Sequence, residues 1–546
     1  MNNVLHVAQN WADQDSDIET KNELQTLIDN NNVEELTARF SGRLQFGTAG
    51  LRGPLQAGSM GMNRVLVAQA AAGLAKFLLE RNAAPSIVIG YDARKNSDIF
   101  AKDTAEIMQG MGVNAQIMPD FRPTPVLAYA VRKLNASAGV MVTASHNPPE
   151  DNGYKVFLGD EDDGAQIVPP NDALIAKQIE WVAANQKVDE LPRSNDYGTI
   201  HQNVIDDYIQ KSAAVYQAKI DDELKYVYTA MHGIGTQTLL QTLEQIGFPK
   251  PILVDEQCTP DGSFPTVSFP NPEEAGALDL AIAKAKEVGA EFIVANDPDA
   301  DRLAVAVADD AGEWATLHGN EVGLYLAWHI AKKAQAEGKK GVLACSLVSS
   351  PALAKVAKAT GLEHKETLTG FKWIGRLPNL IFGYEEALGY LVNPDCAHDK
   401  DGISAIICFL DLINDLKSEG KTLAQSFKAY RQEFTKTFGA LVSDQISVRV
   451  EDLERINRIL ATVRNEPFTN MADFTVESYV DHLKTEKDNN ILVFYLAGGH
   501  RVIFRPSGTE PKLKIYLDTA GETLAQAKLA IEAIKQDLEQ YLENIA

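Results

Sequence analysis

Three short stretches of this chain combine side chains in ways that packing alone does not require. In TASHNPPEDNGYKVF (143–157), Ser145 follows the apolar run AGVMV and precedes His146, Asn147 and two prolines, with Lys155 beyond the turn. A hairpin turn accounts for the serine, asparagine and prolines, all turn formers. In VANDPDADRLAVAV (294–307), Asp297, Asp299 and Asp301 alternate directly after the strand-like FIVA. Carboxylates this close raise one another's pKa unless a cation is present, and oxygen-only ligands suit a hard divalent ion such as Mg²⁺. An EF-hand type of calcium loop is excluded, because Arg302 stands where it needs glycine and Ala308 where it needs the closing glutamate. A solvated acidic turn is the alternative, but the flanking strands look buried. In RPSGTEPKLKIY (505–516), Arg505 offers a guanidinium fork, Ser507 and Thr509 two hydroxyls, and Gly508 close backbone approach. That set suits a phosphate dianion, with a polar hairpin loop as the alternative.

A divalent-ion site together with an exposed serine points to phosphoryl transfer, in which metal and positive side chains offset charge on the moving group. No GxxxxGK[ST] phosphate loop occurs, so a nucleotide donor is not expected. HGIGTQ (232–237) lacks the third glycine of a dinucleotide fingerprint and reads as a turn.

The elements that must position these groups are legible as an alternation. From FGTAGLRG (46–53) onward, short apolar runs alternate with helix-like segments: SIVIGYD with SDIFAKDTAEIMQGMG, KYVYTAMHG with TQTLLQTLEQIG, GVLACSLV with PALAKVAKATG. Such alternation implies α/β layers with largely parallel strands. TPVLAYAVRKLNASAG, GTQTLLQTLEQIGF and SSPALAKVAKATGL form a faint internal repeat, as three related domains in series would produce. After about residue 436, DQISVRVE, NILVFYLAGG, HRVIFRPSG and KLKIYLDT alternate like antiparallel strands, with AGGH as a hairpin turn. The closing helix carries Thr523 and Gln526 at capping-box spacing. The expected fold is α/β: three serial related α/β domains with mixed, largely parallel sheets plus a smaller C-terminal α+β domain, arranged around a central cleft. The expected boundaries are a helical extension over 1–40, in which Leu24, Leu27 and Ile28 share a face, then domains over 41–205, 206–318, 319–435 and 436–546.

The chain has 546 residues, 45% apolar and 23% charged, with a formal net charge of −24. Its length predicts about three or four domains, and its charge argues against nucleic acid and against an anionic membrane surface. MNNVLHVAQNWADQ has neither the basic start nor the apolar core of a secretory signal. RVLVAQAAAGLAKFLLE is broken by Gln69 and Lys76 and is no membrane span. Cys258, Cys345, Cys396 and Cys408 lack CxxC spacing and read as free thiols, so a cytoplasmic location is expected.

The set TASHNP, DPDADR, EEALG and RPSGTEP, one per expected domain, resembles the α-D-phosphohexomutase family of phosphoglucomutases and phosphomannomutases, from about residue 40 to the C-terminus. FGTAGLRG, DKDG (399–402) and YEEALGY look closest to the branch with bacterial α-phosphoglucomutases and animal phosphopentomutases. The resemblance implies that Ser145 is a phosphoserine and that Asp297, Asp299 and Asp301 hold one Mg²⁺ together with a phosphoserine oxygen. It implies that Arg52 and Arg302 flank the transferring phosphoryl group, and that Lys400 belongs to the catalytic set. Glu385 would grip sugar hydroxyls, Thr369 and Gly370 line a loop of the third domain, and Arg505, Ser507, Gly508 and Thr509 hold the non-reacting phosphate. A Pro-stiffened loop would aim Ser145 at its partner, with His146 or Lys155 as acid or base for the sugar hydroxyl. Many hexose-specific members carry serine two residues after that glutamate; here it is Ala387, one hydroxyl contact fewer.

The expected activity is interconversion of glucose 1-phosphate and glucose 6-phosphate, with glucose 1,6-bisphosphate as activator and intermediate. Alternatives are a phosphopentomutase, a phosphomannomutase, a glucose-1,6-bisphosphate synthase, or a non-catalytic phosphoserine-bearing binding protein. Small sugar phosphates are the expected partners, and the expected state is a monomer or weak homodimer.

Overall fold

The computed structural model describes residues 2–47, 50–220, 224–309, 311–417, 421–450, 453–485, 489–506 and 512–544. The chain forms two compact bodies: Met1–Leu317 with Gly370–Asp415, and His318–Thr369 with Leu416–Ala546.

The first body is built on two sheets. Strands β1 (Leu51–Pro54), β2 (Ser86–Tyr91), β3 (Asn114–Ile117), β4 (Ala138–Val142), β5 (Asp151–Leu158), β6 (Ala165–Gln166) and β7 (Gly198–Thr199) make the first, in the order β1-β5-β4-β2-β3-β7 with β6 on β5. Its centre is parallel, while β5 runs antiparallel to β4 and β1 antiparallel to β5. All five residues of β4 are buried, the continuous apolar run of a strand covered on both faces. The helix Arg64–Arg81, whose N-terminus is held by the Asn63 side chain on Leu66 N–H, buries nearly its whole surface. This is RVLVAQAAAGLAKFLLE, a core helix, and no helix among the described residues is long and apolar enough to cross a membrane.

The sequence-level helical preface is three helices, Asn2–Gln14, Ile18–Asp29 and Val33–Arg39. Ala8, Trp11, Ala12, Leu24 and Leu36 belong to the same buried cluster as Val65, Leu66 and Ile89. Leu24 is fully buried, and Leu27 and Ile28 pack partly covered against the same cluster.

The second sheet contains β8 (Tyr226–Thr229), β9 (Ile252–Leu253), β10 (Phe292–Ala295), β11 (Ala304–Ala308) and β12 (Trp314–Thr316), ordered β12-β11-β10-β8-β9. The trio β10, β8, β9 is parallel, and β11 turns back antiparallel on β10 with Ala295 opposite Ala304.

In the second body, β13 (Val342–Ser346) and β14 (Glu363–Thr367) pair in parallel. In the first body, β15 (Leu380–Glu385) and β16 (Gly389–Leu391) pair antiparallel. The second body ends in a six-stranded antiparallel sheet of β17 (Ala440–Arg449), β18 (Asn470–Met471), β19 (Phe474–Asp481), β20 (Leu492–Leu496), β21 (His500–Pro506) and β22 (Lys512–Gly521), ordered β17-β22-β21-β20-β19-β18. Gly498 and Gly499 both have positive φ, 85° and 79°, in the three-residue connection 497–499 between β20 and β21, a backbone conformation that glycine adopts at no steric cost. The expected Thr523–Gln526 capping box forms, 3.1 and 3.2 Å in its two directions, at the start of the helix Leu524–Asn544. The architecture is therefore three serial α/β domains followed by an antiparallel C-terminal domain.

Candidate active site

The three aspartates are placed by the turn they occupy. Residues 296–303 connect the antiparallel pair β10 and β11, with Ala300 in the left-handed region (φ 55°). The Asn296 side chain ties the turn by donating to the Arg302 carbonyl at 2.6 Å. Asp297, Asp299 and Asp301 are fully buried, and one carboxylate oxygen from each lies within 4.8 Å of the others.

Amines surround them. Lys155, on β5, has Nζ 2.5 Å from Asp299 Oδ2 and 2.9 Å from Asp301 Oδ2. Lys400 Nζ lies 3.1 Å from Asp301 Oδ2 and 3.5 Å from Asp399 Oδ1. Arg302 Nε is 3.7 Å from both Asp297 Oδ2 and Asp301 Oδ1. Burial, then the Asp301 and Asp299 charges, push Asp297 well above the usual carboxylate range. Burial acts the same way on Asp301, but Lys155, Lys400 and Arg302 outweigh it and hold that carboxyl far below the range. Burial alone would lower the Lys155 pKa; Asp299 and Asp301 raise it instead, so this amine is an ammonium.

The residues fit a divalent ion. Asp299 Oδ1 and Asp301 Oδ1 are buried without a hydrogen-bond partner among the described residues, and an all-carboxylate donor set matches a hard cation such as Mg²⁺.

Ser145 comes to the same place from the first sheet. It was expected to be exposed, yet only 2% of it is accessible, because the loop after β4 folds inward against the aspartate turn. Its Oγ donates to Asp297 Oδ2 at 3.0 Å and lies 3.2 Å from His146 Nδ1. Its backbone is left-handed, φ 53°, a strained conformation typical of functional sites, and its N–H is held by Thr143 Oγ1 at 2.8 Å. Burial first, then Arg302 and Arg52, drive the His146 pKa well below its ordinary value, so the imidazole is neutral. Arg52 reaches the same loop, donating to Asn147 Oδ1 at 3.0 Å.

The sequence reading missed the residue that holds this loop. Arg94, 2% exposed, donates to the carbonyls of Ser145 (2.7 Å), Asn147 (2.6 Å), Pro148 (2.7 Å) and Asp151 (3.1 Å). Asp92 receives the Arg94 N–H at 3.0 Å and the Ser97 hydroxyl at 2.6 Å, and Phe264 covers the guanidinium at 4.8 Å. The usable signal was a charged pair, YDARK, directly after a strand with buried faces.

Two further loops of this body meet the aspartate turn. Leu303 N–H donates to Leu388 O at 3.1 Å, and Arg302 bridges Gly389, so the EEALG turn is fastened to DPDADR. Glu385, at the end of β15, accepts from Gly370 N–H at 2.6 Å. In DKDG, Asp401 accepts from the N–H groups of Ile403 and Ser404 at 3.0 Å each, capping the helix that begins at Gly402, and from Tyr208 OH at 2.8 Å.

The first body thus gathers Ser145, His146, Lys155, Asp297, Asp299, Asp301, Arg302 and Lys400 into one contact network, with Arg52 joined through Asn147 and Glu385 through its own loop. Thr369 and Arg505 belong to the second body; Arg505, at the end of β21, donates to Tyr516 OH at 3.3 Å. Ser507, Gly508 and Thr509 lie outside the described residues.

A serine hydroxyl buried against a carboxylate triad and ringed by cations, on a serial α/β scaffold, defines a phosphoryl-transfer class of enzyme. Residues 43–186, 206–312 and 318–434 match, in order, the α/β/α domains I, II and III of phosphoglucomutase/phosphomannomutase. A Haemophilus influenzae protein named "probable phosphomannomutase" is 56% identical, with 89% of this chain and 99% of that protein covered. Mouse phosphopentomutase is 34% identical over 93% of this chain and 89% of its own, and a Staphylococcus aureus phosphoglucomutase 32% identical over 88% and 90%. Among solved structures, a phosphoglucomutase/phosphomannomutase family protein from Burkholderia thailandensis has the same fold, with TM-score 0.69 and 18% identity over 92% of this chain and 98% of that one. This chain belongs to the phosphoglucomutase/phosphomannomutase family, the α-D-phosphohexomutases, and is an intramolecular phosphotransferase.

Proposed function

We propose that the enzyme interconverts glucose 1-phosphate and glucose 6-phosphate through a phosphoserine at Ser145 and a bound glucose 1,6-bisphosphate. The observation that carries this reading is the Ser145 Oγ seated 3.0 Å from Asp297 Oδ2 inside the triad. Mg²⁺, held by Asp297, Asp299 and Asp301, would supply positive charge that offsets the charge of the transferring group.

In the forward half-reaction the phosphoryl group leaves Ser145 Oγ as a bond forms from phosphorus to the free hydroxyl of the sugar monophosphate. The hydroxyl proton passes to the neutral His146 imidazole, the base nearest the serine, and from it to the leaving Ser145 Oγ 3.2 Å away, which restores the serine hydroxyl; Lys155 is already protonated between its two aspartates and neutralises them. Arg302 and Arg52 offset charge on the phosphoryl oxygens, and Glu385 orients the sugar through its hydroxyls. The bisphosphate reorients; His146 then takes the Ser145 hydroxyl proton and gives it to the leaving sugar oxygen as Oγ bonds to the other phosphorus and its bond to the sugar breaks.

A pentose phosphate pair is the second reading. It is favoured by Ala387 in the EEALG turn, where a serine hydroxyl would help select a hexose, and by the relatives named phosphopentomutase. The test compares initial rates on glucose, mannose, glucosamine and ribose 1-phosphates with the matching bisphosphate present, beside Ser145→Ala. The glucose assignment predicts the highest kcat/KM on glucose 1-phosphate, and a higher value on ribose 1-phosphate overturns it. Ser145→Ala should turn over none of these and lack the phosphate that intact-mass measurement finds on the wild type. Residual turnover above about a thousandth of wild type means that Ser145 is not the obligatory carrier.

A further inference from the structure

Among the described residues, Lys372 is a buried cation without a paired anion. It follows Gly370 in TGFKWIG and is 5% exposed. No carboxylate lies within ion-pairing distance and no acceptor takes a hydrogen bond from it among the described residues. The Trp373 ring centroid lies 5.4 Å from Nζ, a contact that compensates only weakly for lost hydration. Burial pushes the amine down to about 8; Asp172 and Glu385 pull it back up only in part, and Arg376 lowers it further. Retaining an unpaired charge in such a place is costly unless a ligand completes it.

The lysine stem lies against the same glycine that holds Glu385. A Cβ built on Gly370 would lie 3.5 Å from both Cγ and Cε of Lys372, so the lysine stem runs along the face of that glycine. The N–H of the same glycine holds Glu385 Oε1 at 2.6 Å. Gly370, with φ 111°, is therefore the shared support of one carboxylate suited to sugar hydroxyls and one ammonium suited to an anion.

We propose that Lys372 is a substrate-binding residue whose ammonium takes an anionic phosphate oxygen of the phosphorylated sugar on the side of Glu385. This rests on the sugar-phosphate reading above. The ammonium contributes to ground-state and transition-state binding alike, so its removal is read mainly in KM.

The test is Lys372→Met, which keeps the stem and removes the charge, beside Lys372→Arg. Kinetics are measured on whichever of the glucose, mannose and ribose 1-phosphates the wild type turns over, so failure of the glucose assignment leaves this test intact. Lys372→Met should raise KM about ten- to a hundredfold with a smaller fall in kcat and an unchanged phosphate content at Ser145. Lys372→Arg should recover most of the loss. Independently, acetic anhydride labelling of the wild type at pH 8, mapped by mass spectrometry, should modify Lys372 and be suppressed by saturating sugar 1-phosphate. An unchanged KM in Lys372→Met, a loss confined to kcat, or labelling indifferent to substrate overturns the proposal.

Discussion

The four carbonyls that Arg94 holds belong to residues 145, 147, 148 and 151, so one side chain sets the path of the loop from the serine to β5. A charge-assisted hydrogen bond is worth about 1.5–3 kcal/mol, and no other residue type offers the same rigid fork. Lysine at this position keeps the charge and reaches fewer of the carbonyls. Arg94→Lys should therefore cost at least about a hundredfold in kcat through misplacement of Oγ, and speed amide hydrogen exchange across 143–151. Wild-type turnover with unchanged exchange would mean that the prolines alone shape the loop. Ser145 could be singled out in the sequence because its neighbours are chemically unusual. Arg94 could not, because its partners are backbone carbonyls up to 57 residues away, and a carbonyl leaves no mark on composition.

At the scale of elements, the aspartates, Ser145 and Glu385 stand where strands stop. FIVA and AVAVA flank the aspartates, AGVMV precedes Ser145, and the end of β15 carries Glu385; these were legible because apolar runs bounded by turn formers have few readings. The docking between turns was not legible. DKDG entered only as a resemblance, yet its glycine has a steric reason: a Cβ on Gly402 would fall 2.3 Å from Arg302 O, 2.6 Å from Asn296 Nδ2 and 2.7 Å from Ala300 O. Gly402→Ala should force the Lys400 loop away from the aspartate turn, cost about 1–3 kcal/mol of stability as overpacking, and lower kcat by weakening the 3.1 Å Lys400–Asp301 contact. Denaturant unfolding read beside steady-state rates checks both, and a variant matching wild type in each would show that the turn yields freely. The inward fold of the serine loop escaped the sequence for the same reason: a Ser-Asn-Pro turn reads as surface until the opposing turn is known.

Across the whole molecule, the N-terminal helices are part of the first body's core. Trp11 is 7% exposed and meets the edge of Phe40 at 5.7 Å, and Glu23 accepts the Ala57 N–H at 3.1 Å. Trp11→Ala should remove about 3–5 kcal/mol from the unfolding free energy of the first body, seen as an earlier transition in denaturant; an unchanged midpoint would make the helices an independent appendage. The division of the first body into 1–317 and 370–415 also imposes an order in time. On a ribosome adding about 5–20 residues per second, the three aspartates emerge about 5–20 s before Lys400, with a segment of the other body made in between. During that interval the nascent carboxylates lack one of the amines that later neutralise them, and their own repulsion opposes their burial. The lysine that completes the charge balance is thus also the last part of the aspartate network to be synthesised, so assembly of the first body waits on a piece of chain from beyond an intervening segment of the other body.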